Sequence, residues 1–158
     1  MFRLVTVAML VTGATQATEL PSDPFQRTAV KALRGDFGKL KPWQVSGYKA
    51  GLTAGVTVQG LAWVTSYYPQ EGFYRGKGTR SRVGVSERSA AVSRATWAQR
   101  RGMYVWTAAY GIRIIEDSGA TSNDRVARRK GADTWVDKWF PRPMNRNPVT
   151  LYAMWRGH

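Results

Sequence analysis

Apolar positions along the chain fall into two textures. After Pro21 to Pro24, the residues Phe25, Ala29, Val30 and Leu33 recur near helical spacing. Asp23-Pro24 supplies a cap and a first turn, and Gly35 a stop, so a short helix is expected here. Gly38 to Pro42 reads as a basic connector. From Trp43 onward the pattern changes to short β-rich runs broken by Gly, Pro and polar clusters. These runs are Trp43 to Tyr48, Val56 to Tyr68, Arg82 to Val85, Ala90 to Ser93, Met103 to Thr107, Ile112 to Glu116 and Val149 to Trp155. Their length and spacing predict a closed or sandwiched all-β domain rather than βαβ units. Tyr104 to Ile115 reads as a hairpin turning at Ala109-Tyr110-Gly111, and Ala95 to Gln99 as one short helix before Gly102. Asn123 to Lys130 is polar and basic and reads as a loop.

The first residues have a third character. Met1-Phe2-Arg3 is a short cationic start, Leu4 to Ala14 an apolar stretch, and Thr15-Gln16-Ala17 a small-residue exit. That order fits a secretory signal peptide over 1–17, and the apolar stretch is too short to span a membrane. An uncleaved anchor and a buried N-terminal strand are the alternatives. The expected organisation is then a signal peptide (1–17), a helix with linker (18–42) and a β-domain (43–158).

Composition narrows the chemistry. The 158 residues include 24 Lys and Arg against 10 Asp and Glu, a formal net charge of +14. Such a surface attracts polyanions, whether nucleic acid or an anionic wall polymer. Cys is absent and His158 is the single histidine. Disulfides, thiol nucleophiles and thiolate metal sites are excluded, and a Ser-His-Asp triad is disfavoured. No Gly-rich phosphate loop with a following Lys-Ser/Thr appears. Carboxylates are left as nearly the sole acid/base groups near neutral pH.

Two of the ten acids stand out. Asp117 ends the apolar run Ile112-Arg113-Ile114-Ile115-Glu116, and Asp133 opens Asp133-Thr134-Trp135-Val136-Asp137. Each sits where a hydrophobic run meets a small or aromatic residue. They are expected side by side at one groove. Asp137 is expected to be exposed or paired with an arginine, and Asp124 to be solvated. The competing interpretation is that Asp117 and Asp133 bind loop N–H groups and that Gly119 and Gly131 are turns.

An ordered set of short motifs resembles the Asp-Asp-Asp domain family of bacterial wall proteins, related to the barrel of membrane-bound lytic transglycosylase A. Thr65-Ser66-Tyr67 is similar to the family's opening Thr-x-Tyr strand. Gly84 through Ala91-Val92-Ser93 stands at its Ala-Val-Asp segment, and Gly102-Met103-Tyr104-Val105 at its Gly-Thr-x-Val strand. Glu116-Asp117-Ser118-Gly119-Ala120 resembles Asp-Thr-Gly-Gly. Gly131-Ala132-Asp133-Thr134-Trp135 resembles the segment carrying the third aspartate. The resemblance covers roughly 62–157. Ser93 replaces the first aspartate, the stretch from Asp117 to Asp133 is long and basic, and the helix after the third aspartate is reduced to Lys138-Trp139-Phe140-Pro141-Arg142-Pro143.

The resemblance implies a fold and an activity. The fold is all-β, a six-stranded double-psi β-barrel with a short N-terminal helix. The activity is an exported, secreted or periplasmic lytic transglycosylase acting on peptidoglycan or a related wall polysaccharide. Asp133 is expected to act as general acid and then base, letting the C6 hydroxyl of N-acetylmuramic acid close a 1,6-anhydro ring, with Asp117 as its partner. Trp135 and Trp139 are expected to desolvate that acid. Thr65, Tyr67, Ser118, Gly119 and Trp135 are expected to bind substrate, and Tyr68 to border the same groove. No metal, cofactor or nucleic acid is implied, and a monomer is expected. The alternatives are an expansin-like barrel that binds wall polysaccharide without cleaving it, a two-carboxylate endoglucanase-type hydrolase, and a basic nucleic-acid-binding barrel. The Arg75, Lys77, Arg80 and Arg82 run is either a solvated loop or an attractor for anionic polymer.

Overall fold

The computed structural model describes residues 19–68 and 86–157. The signal peptide expected over 1–17, the run Arg82 to Val85, Gly84 and the cations Arg75 to Arg82 lie outside the described residues. Six strands close into a barrel: β1 (Gly60–Tyr67), β2 (Ser89–Ser93), β3 (Tyr104–Thr107), β4 (Gly111–Gly119), β5 (Thr134–Trp139) and β6 (Val149–Trp155). Around the barrel their order is β1-β5-β2-β4-β3-β6. β1 with β5 and β2 with β4 run parallel, and the other four neighbours antiparallel. Closure removes every free strand edge.

Alternation along the strands decides what fills the barrel. Val64, Val92, Val105, Ile115 and Val136 belong to one buried cluster with Ala62, Ala90, Tyr152 and Met154. Residues flanking Val136, namely Trp135 and Asp137, must then point to the outer face. β5 is not among the runs expected from the sequence. The segment from Lys138 onward, expected as a shortened helix, begins as the end of that strand.

Among the described residues there are also four helices: α1 (Pro24–Leu33), α2 (Pro42–Thr53), α3 (Trp97–Arg100) and α4 (Ser122–Arg129). α1 forms as expected. Asp23 caps it through Oδ1, accepting from the N–H groups of Phe25 and Gln26, and its Oδ2 accepts from Val58 N–H at 3.0 Å. α2 corrects the expectation of a strand over Trp43 to Tyr48. Pro42 opens the helix, and Gln44 Oε1 accepts from Lys41 N–H at 2.8 Å. Gly47 and Gly51, one turn apart, let this helix approach closely. A Cβ on Gly47 would lie 2.6 Å from Ile112 Cδ1, and one on Gly51 2.6 Å from Phe25 Cζ. Phe25, Val30, Tyr48 and Leu52 thereby join Trp106, Ile112 and Trp155 in a second buried cluster. α1 and α2 are part of the barrel's packing, not a lead-in to it. α4 corrects the expectation of a loop over Asn123 to Lys130.

One buried charge sets a pH dependence. Lys138 is 0% exposed, and its ammonium donates to Thr107 Oγ1 and to the carbonyls of Ala109 and Gly111. Burial, reinforced by the positive charge of Arg113, pushes its pKa well below the ordinary 10.5. The unfolded chain keeps the ordinary value. Between the two values the unfolded state binds more protons, so stability rises with pH across that window. The penalty is complete below the folded-state value and gone near 10.5. Tyr48, pushed up to about 12 by burial, acts oppositely from pH 10 upward, because the folded state then holds its proton longer. Lys138→Met is expected to flatten the rise in melting temperature on the alkaline side of neutrality below pH 10. Melting curves at pH 7, 8, 9 and 10 check this, and an unchanged slope assigns the effect elsewhere.

Candidate functional site

Strand register builds the site. Thr65 on β1 pairs with Asp137 on β5, Asp137 with Ala91 on β2, and Ala91 with Asp117 on β4. The four residues form one row across four adjacent strands. The β2–β4 pairing shifts register between Ala90 and Ala91, with Glu116 the extra residue on β4, and this bulge brings Asp117 rather than Glu116 into the row. Asp117 and Asp137 are both buried, each 6% exposed. In the row the small Ala91 separates them by two strand spacings, or about 10 Å from backbone to backbone.

Hydrogen bonds orient the row. Trp135 Nε1 donates to Thr65 Oγ1 at 2.7 Å, and Thr65 Oγ1 donates to Asp137 Oδ1 at 2.8 Å. Thr65 uses its hydroxyl both to accept and to donate, so indole, hydroxyl and carboxylate are held as one chain. Asp117 Oδ1 accepts from Ser118 N–H at 2.9 Å. Beside the row lies a cavity of about 290 Å³ lined by Asp137, Trp135, Ser118 and Gly119, with Arg94 and Asn123 on its wall. Size and lining suit a small polar ligand held against an aromatic ring.

The expected residues divide clearly. Trp135, Ser118 and Gly119 do line a cavity, and Thr65 lies beside it as a partner of the acid. Tyr67 is fully buried, which corrects the expectation that its ring meets a ligand. Asp117 and Asp133 are not brought together. Asp133 is exposed and precedes β5, where its N–H donates to Leu61 O and its Oδ2 accepts from Leu61 N–H, each at 2.8 Å. It lies four residues before Asp137 along an extended strand, about 13 Å away. Its geometry is that of a carboxylate pinning the start of β1.

Asp137 is the residue that sequence reasoning passed over. Expected to be exposed or arginine-paired, it is buried, not exposed, and its Oδ1 accepts from Thr65 Oγ1. Asp124 is likewise buried, not solvated. Its Oδ1 accepts from Trp135 N–H at 3.0 Å and lies 3.5 Å from Thr134 Oγ1, which tethers α4 to β5 behind the cavity. Ser93, at the position of the family's first aspartate, accepts from Ala95 N–H through Oγ and pairs in register with Gly119.

Gly119 has a reason to be glycine. A Cβ there would sit 2.3 Å from Trp135 Cη2, so the indole packs directly on the glycine backbone. Gly119→Ala is expected to displace the indole, break the Trp135–Thr65 bond and cost about 1–3 kcal/mol of stability. Thermal denaturation measures the cost, and a variant as stable as wild type with unchanged ligand binding contradicts this packing.

No family model matches the chain, and neither a curated protein sequence nor a solved structure matches it.

Proposed function

We propose that the protein is an exported, glycan-cleaving enzyme of the lytic transglycosylase kind, built on a double-psi β-barrel, with Asp137 as its acid/base. The observation that carries this reading is the row Thr65–Asp137–Ala91–Asp117 beside the Trp135 cavity. The two parallel pairs within a closed six-stranded barrel support the double-psi assignment. The cationic, apolar and small-residue order of the first 17 residues supports export.

Glycosidic cleavage needs a proton on the leaving oxygen, and a second group must complete the substitution. In this reading the Asp137 carboxyl gives its proton to the bridging oxygen as the bond to C1 breaks. The resulting carboxylate then takes the proton of the C6 hydroxyl while O6 bonds to C1. A 1,6-anhydro ring forms, the acid is regenerated and no water is consumed. Asp137 is buried in the row that also holds Asp117. Thr65 fixes the carboxyl's orientation, and Trp135, itself buried, holds Thr65 through its indole N–H.

The test is incubation with purified peptidoglycan and mass spectrometry of the released muropeptides. Products ending in 1,6-anhydro sugars are expected. Products with reducing ends alone would make the protein a hydrolase. Tight binding without release would leave a wall-binding barrel.

A further inference from the structure

α4 carries a feature that the cleavage chemistry does not use. Asp124 and Ala127 face inward, buried against β5. Arg125, Arg128 and Arg129 are exposed, and at spacings of three and four residues they share the outward face. None of the three makes an ion pair among the described residues. The helix's one acid, Asp124, points away from them, to Trp135 N–H and Thr134. Arg128 and Arg129 lie where cations suit the helix dipole, but Arg125 lies in the first half of the helix, where a cation opposes it. Lys130 follows, its ammonium 5.1 Å from the Trp63 ring centroid. At its other end α4 meets the cavity. Asn123 lines the wall that Arg94 also lines, and Arg94 is exposed.

We infer that the outer face of α4 is a docking rail for a carboxylate-bearing glycan strand, which it delivers to the cavity at Asn123 and Arg94. The identity of the polymer rests on the wall-glycan reading; the location of the rail does not. Charge complementarity sets the partner's sign, since three exposed guanidiniums on one face, without an ion pair among the described residues, favour a polymer carrying repeated anions. Guanidiniums also match carboxylates two bonds at a time. A single-stranded nucleic acid fits less well. Its bases need open aromatic faces, and the ring beside the rail, Trp63, is covered by Lys130.

The experiment is a pelleting assay with purified peptidoglycan freed of phosphate-bearing polymers. The variant Arg125→Gln/Arg128→Gln/Arg129→Gln is compared with Arg27→Gln/Lys39→Gln/Lys49→Gln, which removes the same charge from exposed positions outside α4. The α4 variant is expected to bind about tenfold more weakly at low salt, with a flatter salt dependence. The control variant should stay within about twofold of wild type. Peptidoglycan whose carboxyls have been amidated should bind wild type as weakly as intact peptidoglycan binds the α4 variant. If the triple α4 variant melts early, Arg128→Gln alone is read instead, with a smaller loss in the same direction. Equal losses in the two triple variants, or no effect of amidation, overturn the rail. So does tighter binding of a single-stranded DNA oligomer through the same three arginines. Binding that depends on α4 without anhydro products keeps the rail and removes the enzymatic reading. Anhydro products with binding indifferent to α4 do the reverse.

Discussion

Asp137→Asn is expected to abolish the release of 1,6-anhydro muropeptides while leaving the barrel folded. The amide keeps the shape of the carboxyl, and its oxygen still accepts from Thr65 Oγ1, now 2.8 Å from Asp137 Oδ1. It has no proton to give. Loss of general acid catalysis costs about 10²–10⁴-fold in rate. The measurement is turnover of purified peptidoglycan, with melting temperature as the folding control. Asp117→Asn should leave a measurable rate, because Asp117 lies across Ala91 from the acid and need not touch the leaving oxygen. Full activity in a folded Asp137→Asn protein would end the assignment of the acid.

The largest expected loss of stability lies far from the cavity. Phe25 on α1 is 0% exposed, with its ring centroid 4.7 Å from that of Trp155 and 5.5 Å from that of Trp106. Those two residues sit on β6 and β3. Gly51 on α2 is glycine where Phe25 passes, so the ring is wedged between both helices and the barrel. Phe25→Ala removes that wedge and leaves a cavity that neighbouring backbones cannot close. The expected cost is about 3–5 kcal/mol, or roughly 10 °C in Tm. Chemical denaturation measures it. A loss under about 1 kcal/mol would mean that α1 packs loosely and that the barrel stands without it.

The strands were the most legible part of the chain. Val149 to Trp155 stands in the structure with the bounds its apolar run suggests, and the hairpin turns where Ala109-Tyr110-Gly111 predicts. α2 was hidden because Trp43, Val45 and Tyr48 are residues that favour strands. The contrary signal was the pair Gly47 and Gly51 behind Pro42, a spacing that suits a helix pressed against a surface. α4 was hidden because only Val126 and Ala127 interrupt its polar run. An eight-residue helix tethered by one buried aspartate needs no broad apolar stripe.

The site was half legible for a different reason. Asp133-Thr134-Trp135 and Asp137-Lys138-Trp139 repeat one spacing within a single strand segment. Both aspartates fall on the same side of a period-two pattern, so alternation cannot choose between them. Only the register does. Asp133 meets Leu61 at the start of β1, whereas Asp137 meets Thr65 and Ala91 in the row that contains Asp117. Ser118, Gly119 and Trp135 were legible because their motif is local. The acid they serve depends on pairing between segments distant in sequence.

The most direct measurement sets those two aspartates against each other. Purified peptidoglycan is digested in parallel by wild type, Asp133→Asn and Asp137→Asn, all confirmed folded, and the anhydro-muropeptides are counted by mass spectrometry. The product is expected from wild type and Asp133→Asn and is expected to be lost in Asp137→Asn. Product retained by Asp137→Asn and lost in Asp133→Asn would contradict the assignment of Asp137 as the acid.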